Sequence, residues 1–181
     1  MAKQVIDLGV VANDGTGTPL RTAGDMINDN FNELYDFISH GLFAYLTAPA
    51  STTITTGGTY YPIGGIFAND PASGFSFVAT PAIKYDGLEP HYFEVHAHAT
   101  LQCQNPNKTV ICGIKKNGNL VTSSLMSQFL KTAEEPTVIG GVIVLELNTD
   151  DEVQLVVTST SNGDIITFNN LTASIKPFLM V

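Results

Sequence analysis

His96 and His98 stand two residues apart in Phe93-Glu-Val-His-Ala-His-Ala-Thr-Leu-Gln-Cys103, with Glu94 one step back on the same alternation. Two imidazoles and a carboxylate on one side of a strand are donors that a divalent metal accepts, and three copies around an axis would offer six imidazoles. The alternative is a polar strand face, in solvent or at a wet interface. No further Cys, His or Asp set stands at a recognisable ligand spacing, and His91 and His40 are isolated. The expectation is therefore no metal and no cofactor. Asn13-Asp-Gly-Thr-Gly17 and Thr149-Asp-Asp-Glu152 also carry oxygen donors. Neither follows the calcium loop, whose ligands recur at alternate positions and close on a bidentate Glu. An Asx turn accounts for the first and a hairpin turn for the second. The chain has no Gly-x-Ser-x-Gly elbow, Walker loop or dinucleotide fingerprint. It has no Trp either, which leaves Tyr60 and Tyr61 as the substitutes for a sugar-stacking platform. The residues point to a protein that is not an enzyme, with hydrolysis as a rival that would need acids clustered in a cleft.

The elements that position these groups are mostly strands. In Phe93–Cys103, Phe93, Val95, Ala97, Ala99, Leu101 and Cys103 alternate with polar residues, so one face is buried and one polar. Phe75, Phe77 and Ala79 alternate in the same way, as do Val153, Leu155 and Val157. Lys116-Asn-Gly-Asn119 between two apolar runs predicts a hairpin, and Asn162-Gly-Asp164 predicts a turn before a strand over Ile165–Phe168. Val142–Leu147 is apolar on both faces, so its second face needs a cover outside its own sandwich. The apolar run Ile175–Val181 predicts a final strand. Cys103 and Cys112 are the only cysteines; they are expected free, unless a hairpin sets them on adjacent strands.

One helix precedes the strands. Thr18 is the expected N-cap, Pro19 suits the first helical position, and Gly41 is a natural stop. Leu20, Ala23, Ile27, Leu34 and Phe37 follow a heptad with Asn30 at its one polar position, and Ile27, Phe31, Leu34 and Ile38 form a second stripe. That apolar face is too broad for a lone helix in water. It either packs on its own domain or, as the sharper reading, meets two further copies or a larger assembly, with Asn30 setting the register. Gly24 inside so short a helix favours the sharper reading. The periodicity changes near residue 41, which divides the chain into 1–41 and 43–181.

Charge and composition narrow the function. Charged residues are 14% of the chain and hydrophobic ones 44%, enough for a core. Seventeen acidic residues against eight basic ones give a net charge of −9, which repels phosphate and argues against nucleic-acid binding. No run has the length of a membrane span and the start lacks the apolar core of a secretory signal, so the expectation is assembly in a cytoplasm with no membrane partner.

The segment Ile6-Asp-Leu-Gly through Asn13-Asp-Gly-Thr-Gly17, Pro19-Leu-Arg21, Ala23, Ile27-Asn28, Asn30-Phe31 and Tyr35 resembles the N-terminal segment of many tailed-bacteriophage virion proteins. Thr18 and Met26 depart from that pattern, standing where an acid and a lysine are common. Farther along, Gly113–Val121, Leu145–Val156 and the apolar terminal run resemble the jelly roll of tumour-necrosis-factor-like and complement-globular-head domains. The two resemblances imply a mainly β protein, a jelly-roll sandwich preceded by a loop and a single helix. They also imply a homotrimer located in the virion, made in the host cytoplasm. Its docking and trimer contacts would come from Leu20, Ala23, Ile27, Asn30, Phe31, Leu34 and Ile38, and its partners would be the major capsid, collar or tail proteins. A capsid decoration, or a short head or collar fibre, fits a head placed directly after one helix. The alternative is a tail-fibre or receptor tip that binds a host-surface glycan.

Overall fold

The computed structural model describes residues 4–8, 10, 15–78 and 82–178. The chain divides into two compact units, Met1–Ser39 and His40–Val181.

In the first unit, helix α1 spans Leu20–Ser39. Pro19 sits just ahead of it, and its carbonyl accepts the Ala23 N–H at 2.9 Å to open the helical ladder. There its missing N–H breaks no bond. Thr18, the expected cap, is bonded to Asp7. Its hydroxyl accepts the Asp7 N–H at 3.1 Å and its own N–H donates to the Asp7 carbonyl at 2.7 Å, closing the loop between them. Gly41 does not serve as the helix stop. It is the first residue of a strand and pairs with Ser73. Asn13 and Asp14 of the polar loop lie outside the described residues.

The second unit contains strands β1 (Gly41–Leu46), β2 (Ala50–Ile54), β3 (Tyr61–Pro62), β4 (Phe67–Ser73), β5 (Phe75–Phe77), β6 (Ala82–Tyr85), β7 (His91–Cys103), β8 (Lys108–Lys116), β9 (Asn119–Leu130), β10 (Thr137–Leu147), β11 (Glu152–Ser159) and β12 (Asp164–Pro177). One sheet runs β10-β7-β12-β1-β4, with β2 also on β12; the other runs β5-β6-β11-β8-β9, with β3 also on β11. Every strand pair is antiparallel. From β7 onward the chain passes back and forth between the two sheets, giving a jelly-roll β-sandwich preceded by one helix.

Period-two patterning builds the core. Phe93, Val95, Ala97, Ala99, Leu101 and Cys103 of β7 all turn inward and are buried, as are Val153, Leu155 and Val157 of β11. Phe75, Tyr85 and Phe93 meet with ring centroids 5.0–5.2 Å apart and close one end of the sandwich. The Asn-Gly hairpin joins β8 to β9, with Asn117 at φ 51° and Gly118 at φ 77°. Two positive φ values in a two-residue turn match the right-handed twist of the strands it joins.

One expectation about the strands is corrected. The runs at Ile165–Phe168 and Ile175–Val181 are not separate strands, because a single strand, β12, carries Asp164–Pro177 through a bulge at Phe168/Asn170. The Asn170 side chain accepts the Thr100 N–H there at 2.9 Å, replacing the ladder bond that the bulge displaces. Residues 179–181 lie outside the described residues, as does Ala79. Cys103 and Cys112, expected free unless a hairpin set them on adjacent strands, are not hairpin neighbours. They end up free and buried on opposite sheets, and burial pushes the Cys112 thiol up to about 12.

Two buried carboxylates brace the ends of the sandwich. Asp164, with no exposure, accepts from the Ser159 hydroxyl and from Asn105 Nδ2 at 2.9 Å, with Lys108 Nζ at 3.8 Å. It fastens the β11–β12 turn to the β7–β8 loop. Asp151 sits near the other end, in the β10–β11 turn. Lys116 Nζ lies 2.8 Å from its Oδ2, the Asn148 N–H donates to that oxygen at 2.7 Å, and Asn117 Nδ2 donates to its Oδ1 at 2.6 Å. Burial works against its charge, but the ammonium and the two donors outweigh it and hold the carboxyl at about 2. A carboxyl held below its unfolded value stabilises the fold above that value, and the contribution is lost as pH falls through the folded value. Unfolding free energy should therefore decline by about 2 kcal/mol from this group between roughly pH 5 and pH 2. Chemical denaturation of the wild type and Asp151→Asn over that range should show a shallower acid slope in the variant. Parallel slopes would remove Asp151 as the cause.

Candidate functional site

In the N-terminal unit, the candidate residues come together on one side of α1. At about 100° per residue, Leu20, Ala23, Ile27, Phe31, Leu34 and Ile38 fall in one band. All of these except the half-buried Ala23 are exposed, with Phe31 at 53%. The Phe31 and Tyr35 rings lie with centroids 6.4 Å apart and planes tilted by 30°. Asn30 lies at the edge of the band and is engaged within the chain. Its Oδ1 accepts the Gln4 N–H at 3.0 Å and its Nδ2 donates to the Gln4 carbonyl at 3.2 Å. Gln4 Nε2 reaches Asp29 Oδ2 at 3.2 Å. The arm thus runs back along the helix, held by a side-chain amide that mimics a strand partner. Phe37, the remaining heptad position, has a side chain outside the described residues.

In the second unit, the outer face of the β10-β7-β12-β1 sheet carries a second surface. The strand registers set its side chains in rows. One reads Phe43–Ser174–His96–Val142, the next Tyr45–Thr172–His98–Gly140, and the third Lys176–Glu94–Val144. Phe43 and Tyr45 lie side by side, ring centroids 6.1 Å apart, and are exposed, as are Val138, Val142 (59%) and Val144 on the edge strand β10. Both edge strands β9 and β10 meet at one side of the sandwich. Gly141 allows the approach, since a β-carbon there would lie 2.6 Å from the Met126 sulfur. Next to it the strands part around a cleft of about 200 Å³ lined by Ile114, Leu125, Met126, Val142 and Ile143. Gly140 does similar service on the outer face, where a β-carbon would overlap the His98 ring. Two long edge strands with exposed Leu125, Phe129, Val138, Val142 and Val144 are what a monomer normally avoids.

Residues 3–86 match the family described as bacteriophage T4 gp9/10-like protein, N-terminal. The matched stretch takes in the arm, α1 and strands β1 to β6. No curated protein sequence matches the chain. Among solved structures, the Eiger TNF of S. frugiperda is similar at 8% identity and a TM-score of 0.51, covering 77% of this chain and 94% of that one. At that identity the likeness concerns the fold, a TNF-like jelly roll. The PRD1 vertex protein P5 is similar at 13% identity and a TM-score of 0.47, over 77% of this chain and 97% of its own. Murine APRIL gives 6% identity and a TM-score of 0.47, over 76% and 99%.

The chemical candidates of the sequence occupy structural positions. His96 Nε2 lies 3.2 Å from Glu94 Oε2, while His98 turns over Gly140. Among the described residues, no three metal-donor side chains gather at one point. In Thr149–Glu152, Asp150 faces Lys84 at 3.1 Å and Asp151 faces Lys116, so both carboxylates have cationic partners. Ser159 and Asp164 touch, but at 1% and 0% exposure they are closed to any substrate. The Tyr61 hydroxyl is held by Thr55 Oγ1 at 2.5 Å and by the Thr56 N–H at 3.0 Å, tying that ring to its own turn. Among the described residues, no helix is long and apolar enough to cross a membrane.

Sequence reasoning missed Phe43, Tyr45 and Gln4. The signal for the first two was available. Leu42-Phe-Ala-Tyr-Leu46 is apolar on both faces, like Val142–Leu147, and both strands present their second face on the same side of one sheet. For Gln4 there was none, because its partner is 26 residues away and the contact is through backbone.

Proposed function

We propose that this chain is a non-enzymatic structural protein of a bacteriophage virion: a trimeric capsid decoration protein, or a short head or collar fibre, attached by its N-terminal segment. The observation that carries the reading is the family match over residues 3–86 together with the open apolar band of α1 inside that stretch. Leu20, Ala23, Ile27, Phe31, Leu34 and Ile38 serve as the docking surface, and Asn30 holds the arm beside it. The head, residues 43–181, supplies the bulk.

The trimer is supported by the two surfaces of the sandwich. One is an edge with an apolar cleft, the other a face bearing Phe43 and Tyr45. Because they differ and meet along β10, one copy's edge can cover the next copy's face, a heterologous contact that closes as a ring. Such packing would bury both long edge strands. The receptor-tip alternative would call on Tyr61, whose hydroxyl is already committed to Thr55 and Thr56.

Deleting residues 1–39 tests the reading. The remaining head should stay folded by circular dichroism and sediment as a trimer, yet be missing from particles assembled in its presence. Full occupancy of particles by the truncated head would refute attachment through the N-terminal segment.

A further inference from the structure

We infer that the arm ahead of α1 is itself a recognition element, presenting Val5 and Leu8 to the virion partner, and that Asn30 is the positioning residue that holds it in place. The inference rests on the reading above that the N-terminal segment attaches the protein, and it names the part of that segment that selects the partner.

The arm is pinned at two residues, each through both of its backbone groups. At Gln4 the N–H donates to Asn30 Oδ1 at 3.0 Å and the carbonyl accepts from Asn30 Nδ2 at 3.2 Å. At Asp7 the N–H donates to Thr18 Oγ1 at 3.1 Å and the carbonyl accepts the Thr18 N–H at 2.7 Å. A stretch with no strand or helix of its own loses its order to backbone entropy unless such bonds offset it. These clamps hold backbone and leave two large apolar side chains in water. Val5 is 73% and Leu8 88% exposed, whereas Ile6 between them is half-buried. Ordering a segment before its partner arrives removes that cost from binding, which is how a clamped but exposed arm raises affinity.

Asn30 has the chemistry for the clamp. A side-chain amide carries donor and acceptor together, so it pairs with the N–H and C=O of one residue as a neighbouring strand does. Aspartate lacks the donor, and leucine lacks both groups. Asn30 therefore acts within one chain, at the edge of the apolar band, rather than as a polar register residue between helices. The arm runs from beside Asn30 to the loop at Thr18, so Val5 and Leu8 add apolar surface next to that band. The occupant is a virion protein with an apolar socket beside its site for α1. A second copy of this chain fits less well, because the arm lies in the family-matched stretch that begins at residue 3, whereas the surfaces suited to a second copy lie on the sandwich.

Binding of full-chain variants to particles that lack the protein tests this, beside amide exchange of Gln4 by NMR and sedimentation. Asn30→Leu should expose the Gln4 N–H to exchange and weaken particle binding about tenfold. Helix content and oligomeric state should hold, since leucine is the better helix former. Were Asn30 a register residue between helices, the same change would tighten assembly instead. Asn30→Asp, which sets a charge against the Gln4 carbonyl, should behave like Asn30→Leu. Asn30→Gln keeps the amide and should recover part of both protection and binding. Leu8→Ala should weaken binding about tenfold or more with Gln4 still protected. Unchanged Gln4 exchange in Asn30→Leu overturns the clamp. Wild-type binding by Asn30→Leu or by Leu8→Ala overturns the recognition role and leaves attachment through α1 standing. A change of oligomeric state in Leu8→Ala overturns it as well, because the arm then holds a sister copy. Full occupancy by the head lacking residues 1–39 refutes attachment through the whole segment, and this inference with it.

Discussion

Phe31→Ala will leave the free protein folded and remove most of it from purified particles. Phe31 is 53% exposed within the chain, so its loss takes little from the N-terminal unit. In a docked state the same ring would be buried against a partner. Truncating a buried Phe costs about 3–5 kcal/mol, which is roughly a hundredfold or more in affinity per copy. Three copies in one trimer repeat the loss, so occupancy should fall well beyond that of a single contact. Quantitative gel analysis of particles, beside thermal melts of the free protein, reads both halves. Arg21→Ala, on the exposed first turn and outside the apolar band, is the control expected to incorporate normally. Full incorporation of Phe31→Ala would move attachment off the helix.

Asp164→Ala should have the opposite profile, damaging the head itself. Asp164 has no exposure and gathers Ser159, Asn105 and Lys108. Removing it leaves a buried hydroxyl and an amide without an acceptor, and a lysine without its counter-charge. Breaking a buried charged cluster from one side costs about 3–5 kcal/mol, against a total of roughly 5–15 kcal/mol for a whole domain. The midpoint of denaturant unfolding should drop sharply, with unchanged slope if unfolding stays cooperative. Asp164→Asn, which keeps an acceptor for Ser159, should recover part of the loss. An unaltered midpoint in Asp164→Ala would show that the β11–β12 turn is held by its backbone bonds alone, such as Gly163 N–H to the Ile54 carbonyl at 2.7 Å.

The strands were legible where one face is buried and the other wet. In β7 and β11 alternation fixes which residues turn inward whatever the neighbouring strand is, because side chains alternate along any strand. The Asn117-Gly118 turn was legible for a similarly local reason, since few residues other than Asn and Gly accept two positive φ values in succession. The band on α1 follows from helical geometry alone. These features depend on spacing within a dozen residues, and the sequence by itself determined them. Tertiary structure decided the rest. That Cys103 and Cys112 lie on opposite sheets, and that β12 runs unbroken through the Asn170 bulge, depends on strand order, which no local spacing encodes. Asn30, read along the helix, is a lone polar residue in an apolar seam; in the fold its amide is taken by Gln4, brought back by the loop that Thr18 and Asp7 close. Phe43, His96 and Val142 lie far apart in the chain and form one row only because β1, β12, β7 and β10 pair in that order. Sequence sets which way each side chain points within its own element, whereas the long-range backbone pairing decides which of them share a surface.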